Sequence, residues 1–334
     1  MDLSDQDLKS FIETYIKNYT ITEISEEGSN RKYYRVSNQN QSLILCITYP
    51  FIKEHDDFLE LNLYLISKNL RVPKIIDSMP QKGWLLIEDG GSLYLEDIIR
   101  SFRKEQRWDE IQNFYQEIIK ELIRWHELKD IPLFVKKRYF DLEKFDFEWK
   151  FFLERLKRNQ LPLPTFEFHS FMQECLDFLT KQKTFVFTHR DFHARNILFQ
   201  NIQTKNFYVI DYQDARMGLP WYDLSSLLFD PYVELPFSLI NGLFFFYYDL
   251  RNMPKRKIDH SLHTFYLQAF QRVIKAIGSF LYLGVELNKK HFLSYLLPAI
   301  NQLINLQKEA KFPDVIYLYL FDLKAKIKQR FSHV

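Results

Sequence analysis

The residues best equipped for chemistry sit in one short stretch. Residues 189–196 read His-Arg-Asp-Phe-His-Ala-Arg-Asn, and a further acid, Asp211, closes the apolar run Phe207-Tyr208-Val209-Ile210. A carboxylate and an amide five residues apart can share a tight loop that turns the amide oxygen back toward the same point. Asp191 is suited to accept the hydrogen bond of a substrate hydroxyl and orient it. Asn196 and Asp211 offer hard oxygens of the kind magnesium takes, with water and phosphate filling the rest of its shell. Together they would serve transfer of the γ-phosphoryl of ATP to an alcohol, a reaction that rests on positioning and charge neutralisation. A lone His-Arg-Asp would be weak, and an Asp at a strand end is often a turn former. Three such residues in register, with a strand–turn–strand pattern between two of them, form a far more specific signal. His189 reads as a support for the loop backbone.

These residues need elements to hold them. Phe185-Val186-Phe187-Thr188 predicts a strand running into the loop, and Ile197-Leu198-Phe199 with residues 207–210 predicts a hairpin ending on Asp211. Upstream, apolar residues recur at helical period over residues 3–19, with Ser4 as cap. Strand patterns follow at 21–25, 33–37 and 42–48, then a helical pattern at 53–68, then strands at 74–77 and 84–88. After residue 95 helical periods dominate, at 109–127, 142–157, 166–181 and 221–228. The fold class predicted is α+β and bilobal. Residues 1–89 form a small antiparallel-sheet lobe for the nucleotide, and residues 90–334 a mainly helical lobe for catalysis and substrate binding. Glu88-Asp89-Gly90-Gly91-Ser92 holds the one Gly-Gly pair and reads as the hinge, where Glu88 and Asp89 would bring backbone to the adenine edge.

Between the first two strands lies Glu27-Gly28-Ser29-Asn30-Arg31-Lys32-Tyr33. Small residues such as Gly28 and Ser29 let backbone N–H groups approach phosphates. The third strand, Ser42-Leu43-Ile44-Leu45-Cys46-Ile47-Thr48, carries no cation for the α/β-phosphates. Arg31 and Lys32 on the loop, and Lys53, are the candidates to replace it, an Arg bringing bidentate hydrogen bonds.

Composition narrows the rest. A chain of 334 residues suits two lobes, and a net charge of +2 gives no footprint for nucleic acid. The two cysteines, Cys46 and Cys175, sit in apolar surroundings and read as buried free thiols. Aromatic residues make up 17%, with 32 Phe and 20 Tyr, many at helical spacing, so they read as core. The first residues carry acid where a signal peptide needs base, and the apolar stretch 235–248 is too short to span a bilayer. A cytoplasmic protein without a membrane partner is expected, its oligomeric state open.

Further stretches carry a resemblance. Ser29-Asn30-Arg31-Lys32-Tyr33-Tyr34-Arg35, Leu85-Leu86-Ile87-Glu88-Asp89-Gly90, the 189–196 loop, Val209 to Ala215, Gly218 to Leu224 and Gln271 to Phe280 together resemble the aminoglycoside phosphotransferase-like kinases. They are most similar to the branch of bacterial N-acetylmuramate/N-acetylglucosamine 1-kinases. The resemblance implies a protein-kinase-like fold, ATP and Mg2+ as cofactors, a cell-wall amino sugar as substrate and a sugar 1-phosphate as product. It also implies that the missing lysine is a trait of the branch. His193, Arg195, Gln213 and Asp214, beside the catalytic residues, are the expected substrate-binding set, with Glu148, Trp149 and Arg272 read first as helix surface or core. Another acceptor within the same fold (choline, an aminoglycoside or another alcohol) and an ATP-binding pseudokinase scaffold are the alternatives.

Overall fold

Five strands form one antiparallel sheet in the computed structural model, which describes residues 5–24, 31–48, 57–203 and 205–331. The strands β1 (Thr20–Ile24), β2 (Lys32–Ser37), β3 (Ser42–Ile47), β4 (Ile75–Met79) and β5 (Trp84–Glu88) lie in the order β1-β2-β3-β5-β4. Alternate side chains share a face, so Tyr34, Val36, Leu45, Ile47, Trp84 and Leu86 form one buried layer. Helix α1 (Gln6–Glu13) covers it with Leu8, Phe11 and Ile12. Asp5 caps this helix by accepting from the N–H of Asp7; the expected cap, Ser4, lies outside the described residues. The helix stops short of Tyr19, and Asn18 adopts a left-handed backbone (φ 50) that turns the chain into β1. Helix α2 (Asp57–Ser67) follows β3; residues 53–56, expected as its start, also lie outside the described residues.

The chain separates into two compact units. Residues 1–93 group with 198–213, and residues 94–197 with 214–334. The first unit thus gains the hairpin that follows the 189–196 loop. In chain order the remaining strands are β6 (Leu93–Tyr94), β7 (Val186–Thr188), β8 (Ile197–Asn201), β9 (Asn206–Val209) and β10 (Arg216–Gly218).

The second unit is mostly helical, with α3 (Leu95–Lys104), α4 (Trp108–His126), α5 (Leu133–Lys136), α6 (Leu142–Arg158), α7 (Phe166–Thr180), α8 (Pro220–Leu228), α9 (Phe237–Leu250), α10 (Ile258–Leu281), α11 (Leu296–Ala310) and α12 (Asp314–Arg330). Asp141 and Thr165 cap α6 and α7, and Pro220 opens α8, where its missing N–H costs nothing. Helix α10 is buried on almost every side and packs against α6, α7, α8 and α11. The rings do build the core: Phe140 stacks on Tyr222 with centroids 4.0 Å apart, and Phe244 of α9 meets Phe265 of α10 at 5.0 Å. Cys46 and Cys175 are buried free thiols, their ionisation suppressed by burial. No described helix is long and apolar enough to cross a membrane.

Gly91 shows how closely the first unit is fitted. Its φ is +102, and a Cβ there would stand 2.3 Å from the carbonyl oxygen of Phe199. A side chain is barred by both backbone conformation and space. Gly91→Ala is expected to destabilise the protein by more than about 1 kcal/mol, read as a melting temperature lower by at least ~2–4 °C; an unchanged melting temperature would contradict this fit.

Candidate active site

The loop that carries Asp191 is gripped at both ends. β7 enters it and pairs antiparallel with β10, Thr188 lying opposite Arg216 and its hydroxyl donating to the Arg216 carbonyl at 2.8 Å. This pairing brings Asp214 back to Arg190, whose Nη1 donates to the Asp214 carboxylate at 2.5 Å. Arg190 itself takes a left-handed backbone, φ 85, which a non-glycine residue adopts only under constraint. The constraint is Asp223 of α8. Its fully buried carboxylate accepts the N–H of His189 at 2.6 Å and of Arg190 at 2.9 Å. His189 is also fully buried, with its ring against Trp125 and Phe192.

Asp191 stands among cations. Arg272 Nη2 donates to its Oδ1 at 3.1 Å and Lys275 Nζ to the same atom at 3.0 Å, while Arg190 Nε lies 3.9 Å from Oδ2. Burial would raise the carboxyl's pKa. The charges of Lys275, Arg190 and Arg272 outweigh it and hold the group well below the usual carboxylate range. Asp191 is therefore ionised across the neutral range. Asn196 donates its side-chain amide to the Asp191 carbonyl at 2.8 Å, as the five-residue spacing requires.

The other loop residues pack against aromatic rings of the second unit. The guanidinium of Arg195 lies over the rings of Tyr232, Phe292 and Tyr295 at 5.0, 5.1 and 6.0 Å, with Nε 3.6 Å from Glu96. His193 rests on Tyr232, and burial pushes its imidazole down to about 3, so it is neutral. Asp230 accepts the N–H groups of Ala194 at 2.7 Å and Tyr232 at 2.9 Å. Burial pushes Asp230 up to about 7 despite those bonds.

In the first unit, Asp211 has φ 68 and accepts from Gln213 Nε2 at 2.6 Å. The next residue, Tyr212, is buried, and its hydroxyl accepts from Asn62 Nδ2 at 2.6 Å. Its ring stacks on Phe58 at 5.3 Å, and the guanidinium of Arg31 lies 4.9 Å from the other ring's centroid. The stack gathers Arg31 and the turn bearing Asp211 into one cluster. Lys32 is exposed at the start of β2; Gly28, Ser29 and Lys53 lie outside the described residues. Asp89 ties strands together, accepting from Arg35 Nε at 2.8 Å, Ser42 Oγ at 2.5 Å and the N–H of Gly91 at 2.9 Å. Burial opposes its ionisation, but those donors prevail and its pKa is lowered. Glu88 accepts from the Tyr208 hydroxyl at 2.6 Å. The side chains of Glu88 and Asp89 are thus engaged within the protein.

Asn196 of the second unit turns its amide nitrogen to the Asp191 carbonyl. Asp211 of the first unit carries a carboxylate. Each is a hard oxygen donor of the type magnesium takes, with water and phosphate completing its shell. Among the described residues no group of three or more His, Cys, Asp or Glu side chains could hold a metal.

Sequence reasoning gave least weight to α8 and α10. Arg272, first read as a helix or core position, reaches Asp191, and Lys275 and Asp223 were singled out only as parts of longer stretches. The available signal was a pair of cations at i, i+3 in the second half of α10, a half that holds no acid to pair with them. Glu148 is buried and accepts from Gln271 Nε2 at 2.8 Å on the same side of α10.

Comparison with known proteins gives three findings. The model of a family described as "Phosphotransferase enzyme family" matches residues 20–257. The N-acetylmuramate/N-acetylglucosamine kinase of Pseudomonas putida is 25% identical over 271 residues, which span 78% of this chain and 76% of that one. Among solved structures, choline kinase from Cryptosporidium parvum superposes with a TM-score of 0.59 at 16% identity, covering 96% of each chain. The streptomycin–ATP–APH(2")-IIa ternary complex has a TM-score of 0.54 at 16% identity, covering 86% of this chain and 93% of that one. At such identities the structural likeness speaks for the fold.

Asp223 yields a test. Asp223→Asn presents an amide N–H to one of two backbone donors, which should cost about 2 kcal/mol and lower turnover by roughly tenfold to a hundredfold through a displaced loop. Nucleotide affinity, measured by calorimetry, should stay near that of the parent. A variant with full turnover would show that the loop does not depend on this carboxylate.

Proposed function

The chain belongs to the phosphotransferase enzyme family, and from that premise we propose that it is an ATP- and magnesium-dependent kinase of an amino sugar. The acceptor is the anomeric hydroxyl of N-acetylmuramate or N-acetylglucosamine, and the product is a 1-phosphate of the kind used in cell-wall sugar recycling. The observation that carries the chemistry is Asp191, kept ionised by three cations at the centre of a backbone-clamped loop. Asp191 orients the acceptor hydroxyl and takes its proton late, since an anomeric hydroxyl is more acidic than an ordinary alcohol. Asn196 and Asp211 would be the residues to hold magnesium, which would supply positive charge to the phosphate oxygens. The first unit handles the nucleotide, with Gly28 and Ser29 on the phosphates, the backbone at Glu88 and Asp89 near adenine, and Arg31 or Lys32 in place of the missing lysine. The second handles the acceptor, with His193, Arg195 and Asp214 around the loop; Gln213, expected in the same substrate-binding set, belongs to the first unit beside Asp211.

The choice of acceptor has support of its own. The names of the curated relatives point to amino sugars. A choline site needs an aromatic cage for a quaternary ammonium, yet the Tyr232–Phe292–Tyr295 cage already faces the Arg195 guanidinium. Three cations around Asp191 repel a polycationic aminoglycoside and tolerate a neutral or carboxylate-bearing sugar. Intact Asp191, Asn196 and Asp211 speak against a pseudokinase scaffold.

Purified protein with ATP and magnesium should phosphorylate N-acetylmuramate or N-acetylglucosamine, with choline and kanamycin as comparison acceptors and phosphorus NMR identifying the 1-phosphate. Turnover confined to choline or kanamycin would overturn the substrate. Asp191→Asn should bind ATP normally and lose roughly 10²–10⁴-fold in turnover. Arg31→Ala should raise the KM for ATP with little change in affinity for the sugar; an unchanged ATP dependence would transfer the role to Lys32 or Lys53.

A further inference from the structure

Arg272 and Lys275 share one face of α10, three residues apart, and both reach Oδ1 of Asp191. They are not equivalent. Arg272 is fixed: its Nε donates to Ser226 Oγ at 2.7 Å, its guanidinium lies 5.9 Å from the centroid of the Tyr222 ring, and the residue is 7% exposed. Lys275 is a flexible four-carbon stem whose ammonium has Asp191 as its hydrogen-bonding partner among the described residues. An ammonium carries three donors, so one is engaged and two are available.

The geometry of the carboxylate decides where those donors lie. Oδ1 is committed to two cations, whereas Arg190 Nε stands 3.9 Å from Oδ2, beyond hydrogen-bonding distance, so Oδ2 is the oxygen for the hydroxyl of the acceptor. The nucleophile would then sit on the same carboxylate that Lys275 touches at 3.0 Å. The phosphorus that bonds to it must arrive within reach of the ammonium. The third strand, β3, supplies no cation, and Lys275 would add its charge to those of the loop cations and the metal at the phosphoryl group. Burial and the charge of Arg272 lower the pKa of Lys275, and Asp191 opposes them, so the pair is tuned by groups on both sides.

We propose that Lys275 is a catalytic residue whose ammonium hydrogen-bonds a non-bridging oxygen of the phosphoryl group during transfer, while also holding Asp191. This rests on the kinase reading above. In the step, the acceptor oxygen gives a lone pair to the γ-phosphorus and the bond from phosphorus to the β–γ bridging oxygen breaks, its pair leaving with ADP. The hydroxyl proton passes to Asp191 and on to solvent. Lys275 stays protonated throughout, and its charge faces the oxygens that become most negative in the transition state.

The rival is a positioning role, in which Lys275 only keeps Asp191 charged. The two differ in the pH profile of Lys275→Met. If Lys275 only positions, the acid limb moves to higher pH as Asp191 becomes easier to protonate, and the plateau kcat is retained. If Lys275 touches the phosphoryl group, the plateau kcat falls roughly 10²–10³-fold at every pH, with the KM for ATP changed much less. Lys275→Arg should recover part of the loss, and ADP binding checks that both variants are folded. A second reading uses ADP with aluminium fluoride and the sugar. The parent should trap this transition-state mimic and Lys275→Met should not, although both bind ADP equally. The comparison is repeated with water as acceptor, by following ATP hydrolysis, so a wrong sugar leaves the test of Lys275 intact. A plateau kcat within about threefold of the parent, together with a stable trapped complex, would overturn the proposal.

Discussion

A carboxylate that must stay charged in a partly buried place is the constraint on which the second unit is built. Burial alone would protonate Asp191 and end its usefulness. Arg190, Arg272 and Lys275 reverse that, and each brings a requirement of its own. Arg272 needs the Ser226 hydroxyl and the Tyr222 ring, which fixes α8 against α10. Arg190 needs Asp214, which fixes the strand pairing of β7 with β10. The packing of these helices therefore sets the electrostatics of the site.

The loop backbone is held by acids as well. Asp223 accepts from His189 and Arg190, and Asp230 accepts from Ala194 and Tyr232. Two buried carboxylates thus satisfy backbone donors that an irregular segment would otherwise leave unpaired. In the first unit Asp89 plays a comparable part, joining β2, β3 and Gly91 through side-chain and backbone donors. Asn62 does so for the turn after the hairpin, holding Tyr212 beside Asp211. Side-chain oxygens and amides thus hold the chain at these points where it leaves regular structure.

Much of this was legible in the sequence, for definite reasons. Alternation is plain in β2, where Tyr34 and Val36 are buried under α1, while β3 and β5 are continuous apolar runs legible from their length and polar flanks. The order of polar residues from Asp191 to Asp211 is local, so spacing alone conveys it. What spacing cannot convey is contact across long stretches of chain. Arg272 and Lys275 lie on a helix buried on nearly all sides, where helical period predicts only burial. Asp223 looks like an ordinary acid in the first turn of α8, and its two backbone partners become visible only once β7 is placed. Ends were less legible than elements: α1 closes at Glu13, well before Asn18 turns the chain into β1.

The left-handed backbone of Arg190 sets a limit on how stable this protein can be. A glycine at that position would remove strain of about 1 kcal/mol or more and leave the bonds to Asp223 in place. It would also delete one of the three charges that hold Asp191 ionised. On the proposed role of Asp191, folding and catalysis thus want different residues at the same place. Gains in thermal stability would have to be sought elsewhere, on surfaces that the charge cluster does not reach.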